Sequence, residues 1–466
     1  MHLWIGVENF AKIESARVCV NKYTLFVGPN NSGKTFLMQL VQGLGDKIVR
    51  LLEEDAMDIL LEQKIEGYSK YLLNQGNVAQ FVDYINAKLH FKKERLVKEI
   101  FGKEIPIEKL YIDLELEEDV SYQIDITDRK SLENEEVKKS INQDLLELSI
   151  WHADLKDTLG IGVLSEVRSA GQESRFITIR ISITNSVLYL FKNLLQRIFE
   201  EYSLYLPASR TGLMLLYRDF FANKTDDAVS FRVEAGELLE NKERYGGLTQ
   251  PIYEFLRFLQ TYTEDEENRD MYRNELSFFE DHIIEGHISV NKQGNFSYQE
   301  KDDSNTVPMH LASAMINEVA PLELALTSEM RNERLIIDEV EASLHPQKQL
   351  QFVRFLNRIN NSGVKLIIST HSDTFVSKLN NLYVVSELVR KKKDDGVLQR
   401  FHLQKEDLVQ PESLFVYEFV CQSKGKSIVK EIKPDSQAGF QFELFAKSAM
   451  ELYEESLRLG EIQLDD

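Results

Sequence analysis

Eight consecutive residues near the start of the chain have the types and spacing of a phosphate-binding loop. Gly28-Pro29-Asn30-Asn31-Ser32-Gly33-Lys34-Thr35 fits the pattern G-x-x-x-x-G-K-[ST]. In such a loop, backbone N–H groups converge on the phosphates, and Gly28 and Gly33 allow backbone conformations that a Cβ would forbid. Lys34 reaches the β- and γ-phosphates, and the Thr35 hydroxyl joins the shell of a Mg²⁺ ion. These residues predict a site for ATP and Mg²⁺.

Two acids far along the chain complete this chemistry. Asp338 and Glu339 follow the apolar run Arg334-Leu335-Ile336-Ile337, which has the composition of a fully buried parallel strand. Because α/β sheets bind ligands at the carboxyl ends of their strands, we expect Asp338 to hold Mg²⁺ and Glu339 to orient or deprotonate the attacking water. The alternative is an ordinary strand end whose acids cap a helix.

A histidine follows a third buried-strand pattern. The run Val364-Lys365-Leu366-Ile367-Ile368 leads into Ser369-Thr370-His371-Ser372-Asp373, and His371 is predicted to sense the γ-phosphate. A lone histidine is more often structural or merely exposed, and this alternative stays open.

Particular strands and helices must position these groups. The apolar run Tyr23–Val27 precedes the loop and a helical pattern starts at Phe36, so the loop has its required strand–loop–helix context. Elsewhere, alternation with period two predicts half-buried antiparallel strands, and a helical pattern follows them. The strands are predicted at 110–116, 122–126 and 176–181, and the helix at 187–198.

The three segments together resemble the ABC-type ATPase heads of the OLD, RecF and SMC-like group. The form Asp338-Glu339-Val340-Glu341-Ala342-Ser343-Leu344-His345-Pro346 is similar to the OLD-like branch, and the opening Trp4–Ile13 is similar to the first strand and turn of that family. The resemblance implies an α/β fold, an ABC-type P-loop ATPase head that has a mixed sheet core, an antiparallel arm and large α-helical insertions. It also implies a head-to-head dimer around two ATP molecules, in which a signature loop of one subunit completes the site of the other.

The signature loop departs from the family pattern. It usually reads Ser-Ser-Gly ahead of a helix, whereas the best match here is Ala312-Ser313-Ala314-Met315. Ser313 is expected to contact nucleotide across the dimer, and Met315 stands where glycine is expected. A bulky side chain there is predicted to hinder close approach to the γ-phosphate and to slow hydrolysis. Alternatively, the segment is a plain helix N-terminus with Ser313 as its cap.

An arginine follows another core-strand pattern. The stretch Ser203-Leu204-Tyr205-Leu206-Pro207-Ala208-Ser209-Arg210 resembles a segment of the same ATPase group that ends a core strand near the site. Arg210 is a candidate for a nucleotide or interface contact. The alternative is a strand-end arginine that pairs with an acid.

These motifs divide the chain into five predicted segments. They are the N-terminal part of the ATPase head with the P-loop (1–46), a helical and antiparallel-sheet insertion (47–202), a core strand followed by a helical insertion (203–284), the C-terminal part of the head (285–385), and a C-terminal hairpin and helix (386–466). The final helix, from about Gln441 to Leu459, is a candidate docking surface for a partner, or it packs on the core of its own chain.

Composition favours a cytoplasmic protein that does not bind membranes. The 466 residues include two cysteines, Cys19 and Cys421, which cannot make a disulfide framework, and no apolar run reaches the ~18 residues of a spanning helix. The net charge of −21 argues against tight, direct DNA binding, because acidic surfaces repel phosphate. The basic clusters at 92–98 and 390–393 are predicted to be ordinary solvated surface.

The segment after His371 lacks the glutamate and Asp-x-Asp pair of a Toprim nuclease. The chain therefore looks like an ATPase that controls a partner's nuclease, as in two-gene anti-phage systems. Among these, it is most similar to the PtuA ATPase subunits of Septu-type systems, which work with an HNH endonuclease. The ATPases of PARIS-type systems, which are paired with a Toprim protein, are near neighbours. The resemblance implies an oligomer of head-to-head dimers that reaches DNA through the partner.

Three functions stay open at this level. The first is an ATPase whose hydrolysis cycle licenses a nuclease against foreign DNA. The second is an ATP-bound scaffold that hardly hydrolyses and holds the effector inactive, which Met315 favours. The third is a RecF-like repair ATPase that acts directly on DNA, against which the charge argues.

Overall fold

The computed structural model divides into two compact units. It describes residues 2–49, 51, 70–73, 75–115, 120–128, 144–152, 161–167, 203–231, 245–291, 294–301, 303–392, 396–422, 425–435, 437–442, 445, 450–451 and 453–458. The first unit comprises Met1–Gly6, Leu44–Lys93 and Lys109–Glu201, and the second comprises Val7–Gly43, Glu94–Glu108 and Tyr202–Asp466. The predicted strand at 176–181 and the predicted helix at 187–198 lie outside the described residues, as does Lys393.

The strands are numbered β1 to β16 along the described parts of the chain. They are β1 (His2–Phe10), β2 (Ile13–Cys19), β3 (Tyr23–Val27), β4 (Lys70–Leu73), β5 (Lys109–Glu115), β6 (Val120–Asp128), β7 (Asp144–His152), β8 (Ile161–Val167), β9 (Ser203–Leu206), β10 (Gly286–Val290), β11 (Phe296–Glu300), β12 (Thr306–Pro308), β13 (Arg334–Ile337), β14 (Lys365–Thr370), β15 (Leu414–Cys421) and β16 (Ser427–Ile432).

The α-helices are numbered in the same way. They are α1 (Lys34–Val49), α2 (Gln75–Phe101), α3 (Arg210–Phe231), α4 (Gln250–Gln260), α5 (Glu266–Met271), α6 (Arg273–Phe279), α7 (Ala314–Thr327), α8 (Pro346–Asn361), α9 (Asp373–Lys392) and α10 (Gly396–Arg400). Among the described residues, none of these helices has the length and apolar character that crossing a membrane requires.

The first unit contains an antiparallel sheet. Its strand order is β4-β6-β7-β8, and each neighbouring pair runs antiparallel. The predicted strand at 122–126 lies inside β6 of this sheet, whereas the one at 110–116 corresponds to β5, which is not one of its strands. The antiparallel arm that the sequence indicates is therefore present.

The second unit is built on a mixed sheet. Its strands follow the order β1-β2-β16-β15-β3-β14-β13-β9, and the five strands from β15 to β9 run parallel to one another. β16 is antiparallel to β15, as the predicted C-terminal hairpin requires. β10 and β11 form a second antiparallel hairpin. A mixed core, antiparallel strands and many helices confirm the predicted α/β fold class.

The central strands are buried on both faces, which explains their unbroken apolar runs. Every residue of β3 and of β13 is buried, and so are Leu366 to Thr370 of β14. The register aligns Val27 with Thr370, and Ile337 with both Ile368 and Leu206. Because these strands are parallel and in register, their carboxyl ends meet at one edge of the sheet, and the segments that follow them converge there.

Candidate nucleotide-binding site

The loop Gly28–Gly33 joins the end of β3 to the start of α1. Gly28 and Gly33 have φ angles of +151° and +105°, in the region that disfavours residues with a Cβ. Space is also limiting, because a Cβ on Gly28 would lie 2.8 Å from the Cβ of Phe419, and one on Gly33 would lie 2.8 Å from Cγ1 of Ile13. Both glycines of the motif are therefore required by conformation and by packing.

The Lys34 ammonium is folded back over this loop. Its Nζ donates to the carbonyls of Gly28 and Pro29, at 2.9 Å each, and lies 3.4 Å from Oγ of Ser32. Burial lowers the pKa of Lys34 to about 8, although the nearby acids, Asp338 foremost, favour its charged form. The ammonium is thus held by neutral carbonyls in the position where phosphate oxygens could replace them.

Asp338 is fully buried and is held by hydroxyl groups. Thr35 Oγ1 donates to its Oδ2 at 2.7 Å, Ser369 Oγ donates to its Oδ1 at 2.5 Å, and Tyr205 Oη lies 3.1 Å from Oδ2. One helix N-terminus and two strands therefore fix one carboxylate. A hydroxyl and a carboxylate in contact are hard oxygen donors, and Thr35 and Asp338 fit a Mg²⁺ ion that keeps waters and phosphate oxygens as its other ligands.

Glu339 points toward the same cavity from an unusual backbone conformation. Its φ is +47°, which non-glycine residues rarely adopt, and its N–H donates to Ser369 Oγ at 2.8 Å. Its side chain is 45% exposed, so solvent can reach the carboxylate. Burial raises the pKa of Glu339, and the charges of Asp338 and Glu341 add to this effect. A raised pKa makes a carboxylate a better proton acceptor.

His371 follows β14 and faces Glu339. Its Nε2 lies 3.8 Å from Oε1 of Glu339, and its backbone N–H donates to Oε1 of Glu341 at 2.6 Å. Burial lowers the pKa of the His371 imidazole, and the charge of Lys34 lowers it further. A neutral imidazole is favoured, which can donate from one nitrogen and accept at the other.

These groups surround one cavity of about 150 Å³ at the carboxyl edge of the sheet. It is lined by Lys12, Asn30, Asn31, Ser32, Gly33, Lys34, Thr35, Phe36, Asp338, Glu339 and His371. The structure thus brings together the P-loop residues, the two acids and the histidine that the sequence singled out. Gly28 and Pro29 are not among the lining residues and act through the Lys34 contacts described above.

Several residues of this site lie in the motifs quoted above, but the sequence alone predicts no individual role for them. Lys12 brings a second ammonium to the cavity from the turn between β1 and β2. Tyr205 and Ser369 hold Asp338 from neighbouring strands, and Glu341 holds the backbone of His371. The only available clue was position, since each of them lies at or just beyond a strand end.

Ser313 lies apart from this cavity, at the start of α7. It is exposed, and its Oγ accepts from the N–H of Ile316, so it is the N-cap of that helix. Met315 is half-buried and packs against the hydrophobic core. A cap and a signature residue are compatible roles, because capping leaves Ser313 exposed. The expected contact with a partner's nucleotide stays a prediction, and so does the hindrance by Met315.

Arg210 does not line the cavity. It is 1% exposed, and its Nη2 pairs with Oε1 of Glu318 at 3.1 Å. Of the two alternatives for this residue, the structure shows an arginine that pairs with an acid.

Several residues of the basic clusters pair with acids. Arg390 and Lys391 both pair with Glu387, and Arg95 pairs with Glu99. These contacts agree with the prediction of ordinary surface.

The end of the chain has both packed and exposed apolar groups. Phe442 and Phe445 pack against the core. Met450, Tyr453 and Leu457 are 63%, 65% and 50% exposed, at helical spacing. The first part of this segment therefore packs on the core. The later part leaves apolar groups exposed, and docking of a partner there stays a prediction.

One family model matches most of the chain. Residues 4–376 match the model of the family described as AAA ATPase domain. Among solved structures, the SMC head domain from Thermotoga maritima is 10% identical with a TM-score of 0.30, over 93% of this chain and 100% of that chain. The Smc head domain with an extended coiled coil bound to the C-terminal domain of ScpA, derived from Pyrococcus furiosus, is 12% identical with a TM-score of 0.32, over 97% of this chain and 98% of that chain. A search of curated proteins finds no match.

Proposed function

The chain belongs to the AAA ATPase domain family, and we propose that it binds Mg²⁺-ATP in the cavity below the P-loop and hydrolyses the γ-phosphate there. The observation that carries this proposal is the convergence of Lys34, Thr35, Asp338, Glu339 and His371 on one small cavity. Three strand ends, far apart in sequence, supply the five groups that phosphoryl transfer to water requires.

On the phosphate side, the N-terminus of α1 and the loop N–H groups face the anion. Lys34 exchanges its two carbonyl partners for phosphate oxygens, which raises its pKa and stabilises its charge. Thr35 and Asp338 would hold Mg²⁺, which when bound neutralises charge on the phosphates.

On the water side, Glu339 is the general base. Its carboxylate accepts a proton from the attacking water, and its raised pKa favours that transfer at neutral pH. Neutral His371, 3.8 Å away, orients the γ-phosphate by donating a hydrogen bond. Ser369 fixes the relative position of the two acids, because its hydroxyl contacts the Asp338 carboxylate and the Glu339 N–H.

We further propose that two copies meet head to head, with Ser313 of each copy facing the nucleotide of the other. The support is the exposed N-terminus of α7, where Ser313 and Ala314 are both accessible. A helix N-terminus next to a terminal phosphate gives favourable electrostatics.

The finer role that the motifs support is control of a partner nuclease in anti-phage defence. The motif Asp338-Glu339-Val340-Glu341 and the exposed apolar residues of the last helix support it. The neighbouring reading frames test this role. An HNH frame supports a Septu-type system and a Toprim frame a PARIS-type system, whereas a repair operon without a nuclease would favour direct action on DNA.

The experiment that tests the site is ATP turnover by the purified chain and by Glu339→Gln, with bound nucleotide quantified and mass followed by light scattering. General-base catalysis contributes about 100- to 10,000-fold, so a loss of that size is expected while ATP stays bound. The matched control is Glu329→Gln, since Glu329 is exposed and outside the cavity. ATP that is tightly held in both proteins, with turnover near background, would favour the scaffold function.

A further inference from the structure

A single buried guanidinium joins the turn that carries Asp338 and Glu339 to the helix that follows Ser313. Arg210 Nη1 donates to the Asp338 carbonyl at 2.7 Å, and Nη2 lies 3.3 Å from the Glu339 carbonyl. The same side chain donates through Nε to the Glu318 carbonyl at 2.9 Å and pairs with the Glu318 carboxylate. Glu318 is in the second turn of α7.

Glu318 has further contacts at its end of this link. Its Oε2 accepts from the backbone N–H of Thr211 at 3.0 Å and from Oγ1 of Thr211 at 2.6 Å. The neighbouring Asn317 donates to the carbonyls of Met309 and Ser313, at 2.8 and 3.2 Å. Hydrogen bonds therefore connect the loop before α7 to the second turn of α7, and that turn to Arg210.

At the other end, the guanidinium binds a stretch of backbone that has an unfavourable conformation. Two successive carbonyls are bound, and the second belongs to Glu339, whose φ of +47° persists only where the surroundings impose it. Arginine suits this task, because its planar fork presents several fixed donors at once, which the single ammonium of lysine cannot reproduce.

We propose that Arg210 is a positioning residue that sets the orientation of Glu339 and couples it to the signature helix α7. This inference rests on the proposed function and deepens it. Nucleotide bound against the N-terminus of α7 would act on Glu318, through Arg210, and so on the turn of the general base. A buried ion pair with a purely structural role would explain the burial, but it does not require contacts with both catalytic-turn carbonyls.

The test compares Arg210→Lys with wild type and with Arg358→Lys. Arg358 is a matched control, because it is also buried and pairs with a buried acid, Asp407, at 2.7 Å, away from the cavity. Hydrogen exchange is measured with and without Mg²⁺ and adenylyl imidodiphosphate. Peptides over 28–35 and 313–318 report nucleotide binding, and peptides over 338–341 report coupling through Arg210.

In wild type and Arg358→Lys, nucleotide should protect all three segments. In Arg210→Lys, protection of 28–35 and 313–318 should remain, with nucleotide affinity within about threefold, whereas protection of 338–341 should be lost. Turnover should show a kcat about 100-fold lower with little change in KM, because small misplacements of a catalytic group have effects of that size.

Glu318→Gln removes the charge of the other partner in the Arg210–Glu318 pair. It tests the same coupling if Arg210→Lys does not fold. It should cause the same loss of coupled protection, and the kcat of the double variant should be no lower than that of the more affected single variant. The proposal is overturned if Arg210→Lys keeps the coupled protection and its kcat, or if Arg358→Lys loses them equally. An absence of nucleotide protection at 28–35 in wild type would instead overturn the proposed function itself.

Discussion

The two sides of the cavity are built in different ways. The phosphate side is one continuous loop, Gly28–Gly33 with Lys34, and its main contacts lie within six residues of one another. The opposite side consists of Asp338, Glu339 and His371, which come from two strand ends and are held by partners on further elements. The loop therefore depends on local conformation, whereas the acids depend on sheet register and buried polar contacts.

This difference indicates that the two sides contribute to separate properties, nucleotide affinity and turnover. Nucleotide affinity should depend on the loop and survive damage to the acids, and turnover should depend on the acids and their supports. The predictions below test that separation.

The largest effect is expected from Asp338→Asn. The Asp338 carboxylate contacts Thr35 Oγ1 and is the acid proposed to hold Mg²⁺, so kcat should fall about 1000-fold, as expected for losing several kcal/mol of transition-state charge stabilisation. Affinity for ATP in the absence of Mg²⁺, measured by calorimetry, should stay within a few-fold of wild type. Asp270→Asn, at an acid that is 68% exposed, is the control. Equal losses of metal-free affinity and turnover would contradict the separation.

Lys34→Met changes the phosphate side of the cavity. Removal of a charge-assisted hydrogen bond to phosphate should weaken ATP binding about 100-fold, which titration of a fluorescent ATP analogue can measure. Lys348→Met removes a lysine outside the cavity, paired with Glu285, and should bind like wild type. If Lys34→Met bound ATP normally, the loop carbonyls rather than phosphate would be the natural partners of this ammonium.

Ser369→Ala tests a residue that positions the two acids and does not itself take part in the reaction. The variant loses the contacts that relate Asp338 to Glu339, so kcat should fall about tenfold, in line with the net value of a hydrogen bond. ATP affinity should not change. Ser386→Ala removes another buried serine, on α9 and away from the cavity, and should leave kcat unaltered. A change in affinity instead of kcat would show that the two sides are not separable.

The smallest effect concerns pH. The pKa of Lys34 is about 8 in the free protein, and bound phosphate must raise it, so binding takes up a proton above pH 8. Affinity should be full below that pH and should fall about fourfold between pH 7 and 8.5. Measurements in buffers with different ionisation enthalpies would detect the proton. Lys34→Met should show no such decline, and a wild-type affinity that rises with pH would contradict the assignment.

The site could be predicted from the sequence to different extents on its two sides. The whole P-loop could be predicted from the sequence, because its eight consecutive residues determine both the backbone conformation and the phosphate-binding groups. Asp338, Glu339 and His371 were recognisable because each follows an apolar run that only a buried strand explains. Lys12, Tyr205 and Ser369 were not recognised, since nothing in their local sequence says which strands are neighbours.

Arg210 shows this limit most clearly. Its sequence context allowed either a nucleotide contact or a pair with an acid, and local pattern cannot choose between them. The choice depends on Glu318, which is 108 residues away in sequence and 3.1 Å away in space.

The sequence by itself determined the local elements: a glycine loop between strand and helix, apolar runs long enough only for buried strands, and acids at their ends. The tertiary structure alone decided which strands lie side by side, and therefore that one serine contacts both acids and one arginine joins two distant turns. The physical reason is that backbone conformation and hydrophobic burial are encoded over a few residues, whereas a buried polar group is satisfied by whichever partner the whole fold brings within hydrogen-bonding distance.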